Sequence, residues 1–326
     1  MKIAVTGGTG FVGRHLAREL VRGGHEVVLV ARGIDRRDPT VALLHGVRTV
    51  KAGLAEIEGL RAAFAGYDAV AHCAGINRQI GSQTYATVHV TGTANVVTAA
   101  RDAGVSKIVM LSFLRARPAC GSGYHESKWA AEELVRTSGL DYTVVKASMT
   151  FGRGDHMLDH LSHLLYTMPI FVTVGLGEKA VRPVAVQDVV KVLIVALTES
   201  RLSQKTVALM GPEALRLSEV ARRVGRLVGK RSLIVPAPPA INYAVAHIAE
   251  WSMKVPLASV AQVRMLDEGL TEPWGRVDSL PEDLLPRTPL SDEVLRAGLP
   301  PAGPFTPADL RIPGVSEWPT CSSSKL

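Results

Sequence analysis

The first twenty-two residues constrain this chain more than any other stretch. Lys2-Ile3-Ala4-Val5-Thr6 is a short β-forming run that breaks at once into Gly7-Gly8-Thr9-Gly10-Phe11-Val12-Gly13, and a helical pattern runs on from Phe11 to Arg22. In such a strand-turn-helix one glycine permits the tight turn, the next lets backbone approach a ligand closely, and the third lets helix and strand pack together. The opening helix then turns free N–H groups and the positive end of its dipole toward an anion, which suits the pyrophosphate of a dinucleotide. Gly7, Thr9, Gly10, Phe11, Val12 and Gly13 are therefore the candidate lining of a dinucleotide site.

The rest of the N-terminal half supports the same architecture. Up to about residue 150 short apolar runs alternate with helical stretches: HEVVLVA, VRTVKA, DAVAHCA, KIVMLS and DYTVVKAS are strands, with helices near Tyr85 to Ala103 and Tyr124 to Thr137. Runs this continuously apolar are expected where helices cover both faces of a parallel sheet. The fold class is α/β: a Rossmann-type doubly wound parallel sheet over residues 1–150, a smaller C-terminal substrate or partner lobe over 151–270, and a proline-rich wrapping tail over 271–326 whose last residues are expected to be disordered. Pro183 to Thr198 reads as strand then helix, and Leu217 to Val228 as an amphipathic helix. The segment Pro239 to Val255 carries Ile241, Tyr243, Val245, Ile248 and Trp251 at helical spacing. Core packing is the default expectation there, and a surface helix meeting a membrane or partner is the alternative.

Charge and cysteine content narrow the classes. The chain carries a formal charge of +7, and its densest basic stretch is Arg222, Arg223, Arg226, Lys230 and Arg231. No aromatic residues are interleaved there, so a solvated helix face is expected rather than a nucleic-acid site. Three scattered cysteines, Cys73, Cys120 and Cys321, suggest neither disulfides nor zinc. His156, His160 and His163, with Asp155 and Asp159, lie on one expected helix without the glutamate of a metalloprotease motif, so no metal is expected. No apolar run is long enough to span a membrane and no secretory leader is evident, which leads to a cytoplasmic expectation.

The second strand ends in Arg32, with Arg36 and Arg37 just behind. A guanidinium there can pair with the 2′-phosphate of NADP, where an acid would hold the ribose hydroxyl of NAD, so NADP is favoured and NAD remains an alternative. Tyr124 and Lys128 stand four apart, on one face of a helix after the fifth strand. A nearby ammonium favours tyrosinate and should lower the phenol toward the range of a general acid or base.

With TGGTGFVG, Ala74-Gly75, Tyr124-His125-Glu126-Ser127-Lys128, Phe151-Gly152-Arg153-Gly154-Asp155 and Arg182 to Val189, the chain resembles the short-chain dehydrogenase/reductase superfamily in its extended and atypical branches, over roughly residues 1 to 230. Its second half is similar to the group containing the dehydrogenase-like accessory subunit of respiratory complex I. The resemblance implies cofactor contacts at Leu54, Cys73, Ala74, Gly75, Lys128 and Ala147, an acid/base role for Tyr124, and a hydroxyl partner for which Ser112 is the candidate. It also leaves a homodimer, or contact with a respiratory complex or membrane surface, open. Several positions depart from the family pattern: Phe113 stands where the hydroxyl residue aligns, and strand alternation would turn Ser112 away. His89 replaces an asparagine, Gly53-Leu54 an aspartate, and Ala185 and Gln187 a frequent His and Asp. Two functions are expected on these grounds: an NADP-dependent oxidoreductase or sugar-nucleotide epimerase/dehydratase, or a non-catalytic cofactor-binding structural or sensor protein.

Overall fold

The computed structural model describes residues 1–33, 38–253, 258–300 and 303–305. They form two compact units that do not follow chain order. The first gathers Met1–Ser148, Val184–Met210 and Glu272–Thr288; the second gathers Met149–Pro183, Gly211–Thr271, and Pro289 with the described residues after it.

In the first unit, β1 (Lys2–Thr6), β2 (Glu26–Ala31), β3 (Val47–Lys51), β4 (Ala69–His72), β5 (Lys107–Phe113), β6 (Asp141–Ala147) and β10 (Lys205–Leu209) make one parallel sheet in the order β10-β6-β5-β4-β1-β2-β3. Alternate residues of a strand point to opposite faces, and both faces are buried except along the edge strand β3. Ile3, Val5, Val27 and Leu29 pack into one core with α1 (Phe11–Arg22) and α6 (Val186–Thr198), which follows the two-residue β9 (Val184–Ala185). Ala4, Val28, Val30 and Val70 pack into another with α2 (Ile57–Phe64), α3 (Gly92–Asp102) and α4 (Gly123–Arg136). Each fully buried Val or Leu contributes about 1.5–3 kcal/mol, so the runs that looked too apolar for a half-exposed sheet are the main source of this unit's stability. A π-type turn at Ala86–Thr91 opens α3.

Residues 184–210 and 272–288, read from sequence as lobe and tail, belong to this unit. The reason is visible in the pairing: β10 runs parallel to β6 in register from Lys205↔Thr143 to Leu209↔Ala147. Asp278 in turn binds Thr206, its N–H donating to the Thr206 carbonyl at 2.7 Å and its carboxylate accepting from the Thr206 N–H at 2.8 Å.

The second unit holds the two-residue β7 (Thr150–Phe151), α5 (His156–Thr167), β8 (Ile170–Val174), α7 (Leu217–Leu227), β11 (Leu233–Ala237), α8 (Pro239–Ser252), α9 (Val260–Glu268) and α10 (Asp292–Gly298). Asp155 caps α5, accepting from the Leu158 N–H at 2.6 Å. β8 and β11 form a two-stranded parallel sheet. Helix α8 departs from the core-packing expectation. It buries Ala246 and Ala249, while Ile241, Val245, Ile248 and Trp251 face outward. Small alanines let α8 approach α9 closely, so the inward stripe is made of its smallest side chains and the large ones are left outside.

Candidate active site

The glycine turn is shaped by contacts that exclude side chains. The Gly7 N–H donates to the Val30 carbonyl at 3.0 Å, and Gly7 has φ +67, with a Cβ there falling 2.7 Å from Ala74 Cα. A Cβ on Gly13 would stand 2.2 Å from the Gly7 oxygen. Gly10 is the N-cap of α1, with no side-chain cap and no acid in the first turn, so the helix opens on backbone amides alone. The cradle fits a pyrophosphate. Phe11 and Val12 lie partly buried in the first turn of α1, and the buried Thr9 donates to the Gly33 carbonyl at 3.1 Å, tying the end of β2 to the turn. Arg32 is exposed at that end of β2, next to Gly53, where a Cβ would lie 3.7 Å from Arg32 Cγ. Arg36 and Arg37 lie outside the described residues, as does Cys321.

Across the turn, the Cys73 N–H donates to the Thr6 carbonyl at 3.1 Å, and burial pushes the Cys73 thiol up to about 12. His72 is fixed between Thr6 (2.7 Å) and Thr93 (3.0 Å), and burial holds it down to about 3, hence neutral. The Leu54 carbonyl accepts from Asn95 Nδ2 at 2.8 Å. Ala147 is buried at the end of β6, its carbonyl accepting from the Leu114 N–H at 2.9 Å.

Tyr124 sits in the first turn of α4 inside an aromatic box. Its ring centroid is 5.4 Å from that of Phe113 and 5.7 Å from those of His89 and Tyr85. Burial, and then Tyr85, push the phenol up, opposite to the direction expected from the lysine one turn away. Lys128 Nζ instead donates to the Leu111 carbonyl at 3.0 Å, and burial lowers its ammonium to about 8. It stands 3.6 Å from where a Cβ on Gly75 would be. His89 links these parts. Its Nε2 accepts from the Ile76 N–H at 3.1 Å, so Nδ1 carries the proton and donates to Ser127 Oγ at 2.8 Å; that hydroxyl donates to the Tyr124 carbonyl at 3.0 Å. Burial, then Lys128, hold His89 down to about 2, so the ring is neutral.

Ser112 lies elsewhere. Its hydroxyl donates to Glu132 Oε1 at 2.5 Å, and the fully buried Glu132 also meets Arg136 Nη2 at 2.7 Å and Lys146 Nζ at 3.3 Å. Neighbours on a strand face opposite ways, so Phe113 is the residue that meets Tyr124. The structure thus brings the glycine turn, Ala74, Gly75, His89, Tyr124 and Lys128 together and ties Ser112 to an ion network. Tyr85 and Glu132 escaped the sequence reading, and Ser127 entered it only as part of the Tyr124-to-Lys128 motif. For Glu132 a signal existed, since it stands four residues from both Lys128 and Arg136 on α4.

In the second unit, His163 Nδ1 lies 2.5 Å from the Gly303 carbonyl and its Nε2 lies 3.5 Å from Asp159. Among the described residues no group of three or more His, Cys, Asp or Glu could hold a metal ion, and no helix is long and apolar enough to cross a membrane.

Comparison with known proteins agrees with this geometry. Residues 7–154 match a family model described as NAD(P)H-binding. An uncharacterized protein of Mycobacterium tuberculosis is 30% identical over 69% of this chain, which spans only 23% of that protein's length. The ceramide reductase of Caulobacter vibrioides is 26% identical over 83% of this chain and 85% of its own. The mitochondrial 40 kDa subunit of NADH-ubiquinone oxidoreductase from Neurospora crassa is 24% identical over 79% of this chain and 68% of its own. Among solved structures, MoeE5 in complex with UDP-glucuronic acid and NAD shares the fold with a TM-score of 0.69 at 21% identity, covering 91% of this chain and 97% of that one. The Thermus thermophilus UDP-glucose 4-epimerase complex with NAD gives 0.60 at 23% identity, covering 73% and 86%.

Proposed function

We propose that this chain is an NADP-dependent oxidoreductase of the epimerase/dehydratase-like short-chain dehydrogenase/reductase kind, with Tyr124 as its acid/base residue; the match of residues 7–154 to an NAD(P)H-binding family model supports the reading. The observation that carries this reading is that Tyr124 and Lys128 share one face of α4, with Lys128 beside Gly75 and the preceding Ala74 against Gly7 of the glycine turn. The amides around Gly10 to Gly13 would hold the pyrophosphate, Ala74, Gly75 and Ala147 would line the nucleotide, and Lys128 would hold the nicotinamide ribose. When bound, the nicotinamide supplies a hydride donor or acceptor. Arg32, standing where an acid would select NAD, supports the phosphorylated cofactor.

Tyr124 keeps its proton at neutral pH because burial pushes the phenol up. A protonated phenol beside a substrate oxygen gives its proton to the developing alkoxide, which suits reduction of a carbonyl. His89 and Ser127 hold the Tyr124 backbone in place, and Phe113 gives that pocket an apolar wall where a second hydroxyl would otherwise stand. Among the described residues Cys73 and Cys120 form no disulfide, which suits a reducing compartment.

The test is Tyr124→Phe. Turnover of a carbonyl substrate with NADPH should fall by about 10²–10⁴-fold while the affinity for NADPH stays unchanged. Unchanged turnover would remove Tyr124 from the chemistry. A second reading, a cofactor-binding structural or sensor protein, is favoured by Phe113 and by the commitment of Ser112 to Glu132. The relatives include one named as a ceramide reductase and one named as a subunit of NADH-ubiquinone oxidoreductase.

A further inference from the structure

The second unit exposes most of the large apolar side chains that stand outside a core among the described residues. Of the exposed large apolar side chains among the described residues, ten lie in this unit and four in the other. On the two-stranded sheet, the cross-strand neighbours Ile170 and Leu233, and then Val172 and Val235, all stand exposed. Val174 points to the same side as Ile170 and Val172. It packs with Ala246 of α8 and Val263 of α9, so α8 lies on that same sheet face and leaves the rest of it uncovered. The helix then turns its own stripe outward, Ile241, Val245 and Ile248 at i, i+4 and i+7, ending in Trp251, which is 79% exposed.

Charge decides what such a face can meet. Arg231 and Lys230, both exposed, lead directly into β11, and Arg231 has the same strand parity as Leu233 and Val235. The one acid of α8, Glu250, is turned back to accept from the Val260 N–H at 3.0 Å, and of the acids on α9 Glu268 pairs with Arg264 at 2.5 Å. A second copy of this chain would bring two basic rims together, in molecules that each carry +7. An apolar stripe with a terminal tryptophan and a basic margin fits the interface of an anionic bilayer, where the apolar side chains enter the acyl boundary and the cations meet phosphate headgroups. We infer that the β8–β11 sheet face and α8 dock this protein peripherally on an anionic membrane surface.

The test uses the full chain and sedimenting vesicles of phosphatidylcholine alone or mixed with phosphatidylglycerol. The protein should sediment with the mixed vesicles at least ~10-fold more strongly than with phosphatidylcholine alone, and raised salt should weaken that binding. Ile248→Asp should cut it by ~10-fold or more while the NADPH-induced rise in unfolding midpoint stays intact, which separates loss of docking from loss of fold or of the cofactor site. Absence of binding, equal binding of Ile248→Asp, or a dimer in lipid-free solution that Ile248→Asp dissociates would each overturn the assignment.

Discussion

The two units use apolar residues in opposite ways. In the first, Val28, Leu29 and Val30 sit mid-sheet with no more than 1% of their surface exposed, because α1 and α6 cover one face and α2, α3 and α4 the other. In the second, the small β8–β11 sheet has α8 and α9 over only part of one face, and Leu233 is 65% exposed. Identical residue types therefore mean stability in one place and a surface for a partner in the other. The difference lies in how many elements the chain has to put on each sheet.

That contrast can be broken by mutation. The largest loss should come from Glu132→Ala in the first unit, which strands the buried Lys146 ammonium and frees the Ser112 hydroxyl. Removing one partner of a buried ion pair costs about 3–5 kcal/mol, readable by denaturant unfolding; a cost below about 1 kcal/mol would mean the network carries no weight.

Lys128 should act in the opposite sense. Its folded-state pKa of about 8 lies below the ordinary 10.5, so its burial is a penalty at neutral pH, and Lys128→Met should gain roughly 2 kcal/mol after allowing for the lost bond to Leu111. Below about 8 both folded and unfolded lysines are protonated and the gap is constant. Between about 8 and 10.5 the unfolded chain binds more protons, so wild-type stability rises with pH and the gap closes. A gap that widens with pH would refute the buried-ammonium account. The smallest effect belongs to the second unit: Ile248→Ser should change stability by less than about 0.5 kcal/mol, since its side chain is 63% exposed. A loss of about 2 kcal/mol or more would place Ile248 in a core.

The same contrast explains how much of the molecule was legible in its sequence. The glycine turn and five of the first six strands could be read because a strand buried on both faces leaves a continuous apolar run; the third, Val47–Lys51, lies at the sheet edge with Arg48, Thr49 and Lys51 exposed. The seventh, Lys205–Leu209, and the return of residues 272–288 could not, because joining β6 and pairing Asp278 with Thr206 are long-range events with no local mark. Helix α8 was legible as a helix but not in its orientation, since Ala246 and Ile248 are both apolar and periodicity cannot tell which stripe goes inside. Tyr124 and Lys128 were legible as a pair by spacing. The direction of the phenol's shift was not, because it comes from Phe113, His89 and Tyr85 closing around the ring.

The central claim is that the amides at the start of α1 hold a nicotinamide dinucleotide, and thermal unfolding of the wild-type chain with NADPH, NADP, NADH and NAD tests it most directly. A ligand present at about a hundred times its Kd adds about 2.7 kcal/mol to the folded state, so NADPH and NADP should raise the midpoint by several degrees and exceed NADH and NAD. A midpoint that none of the four nucleotides moves would contradict the account.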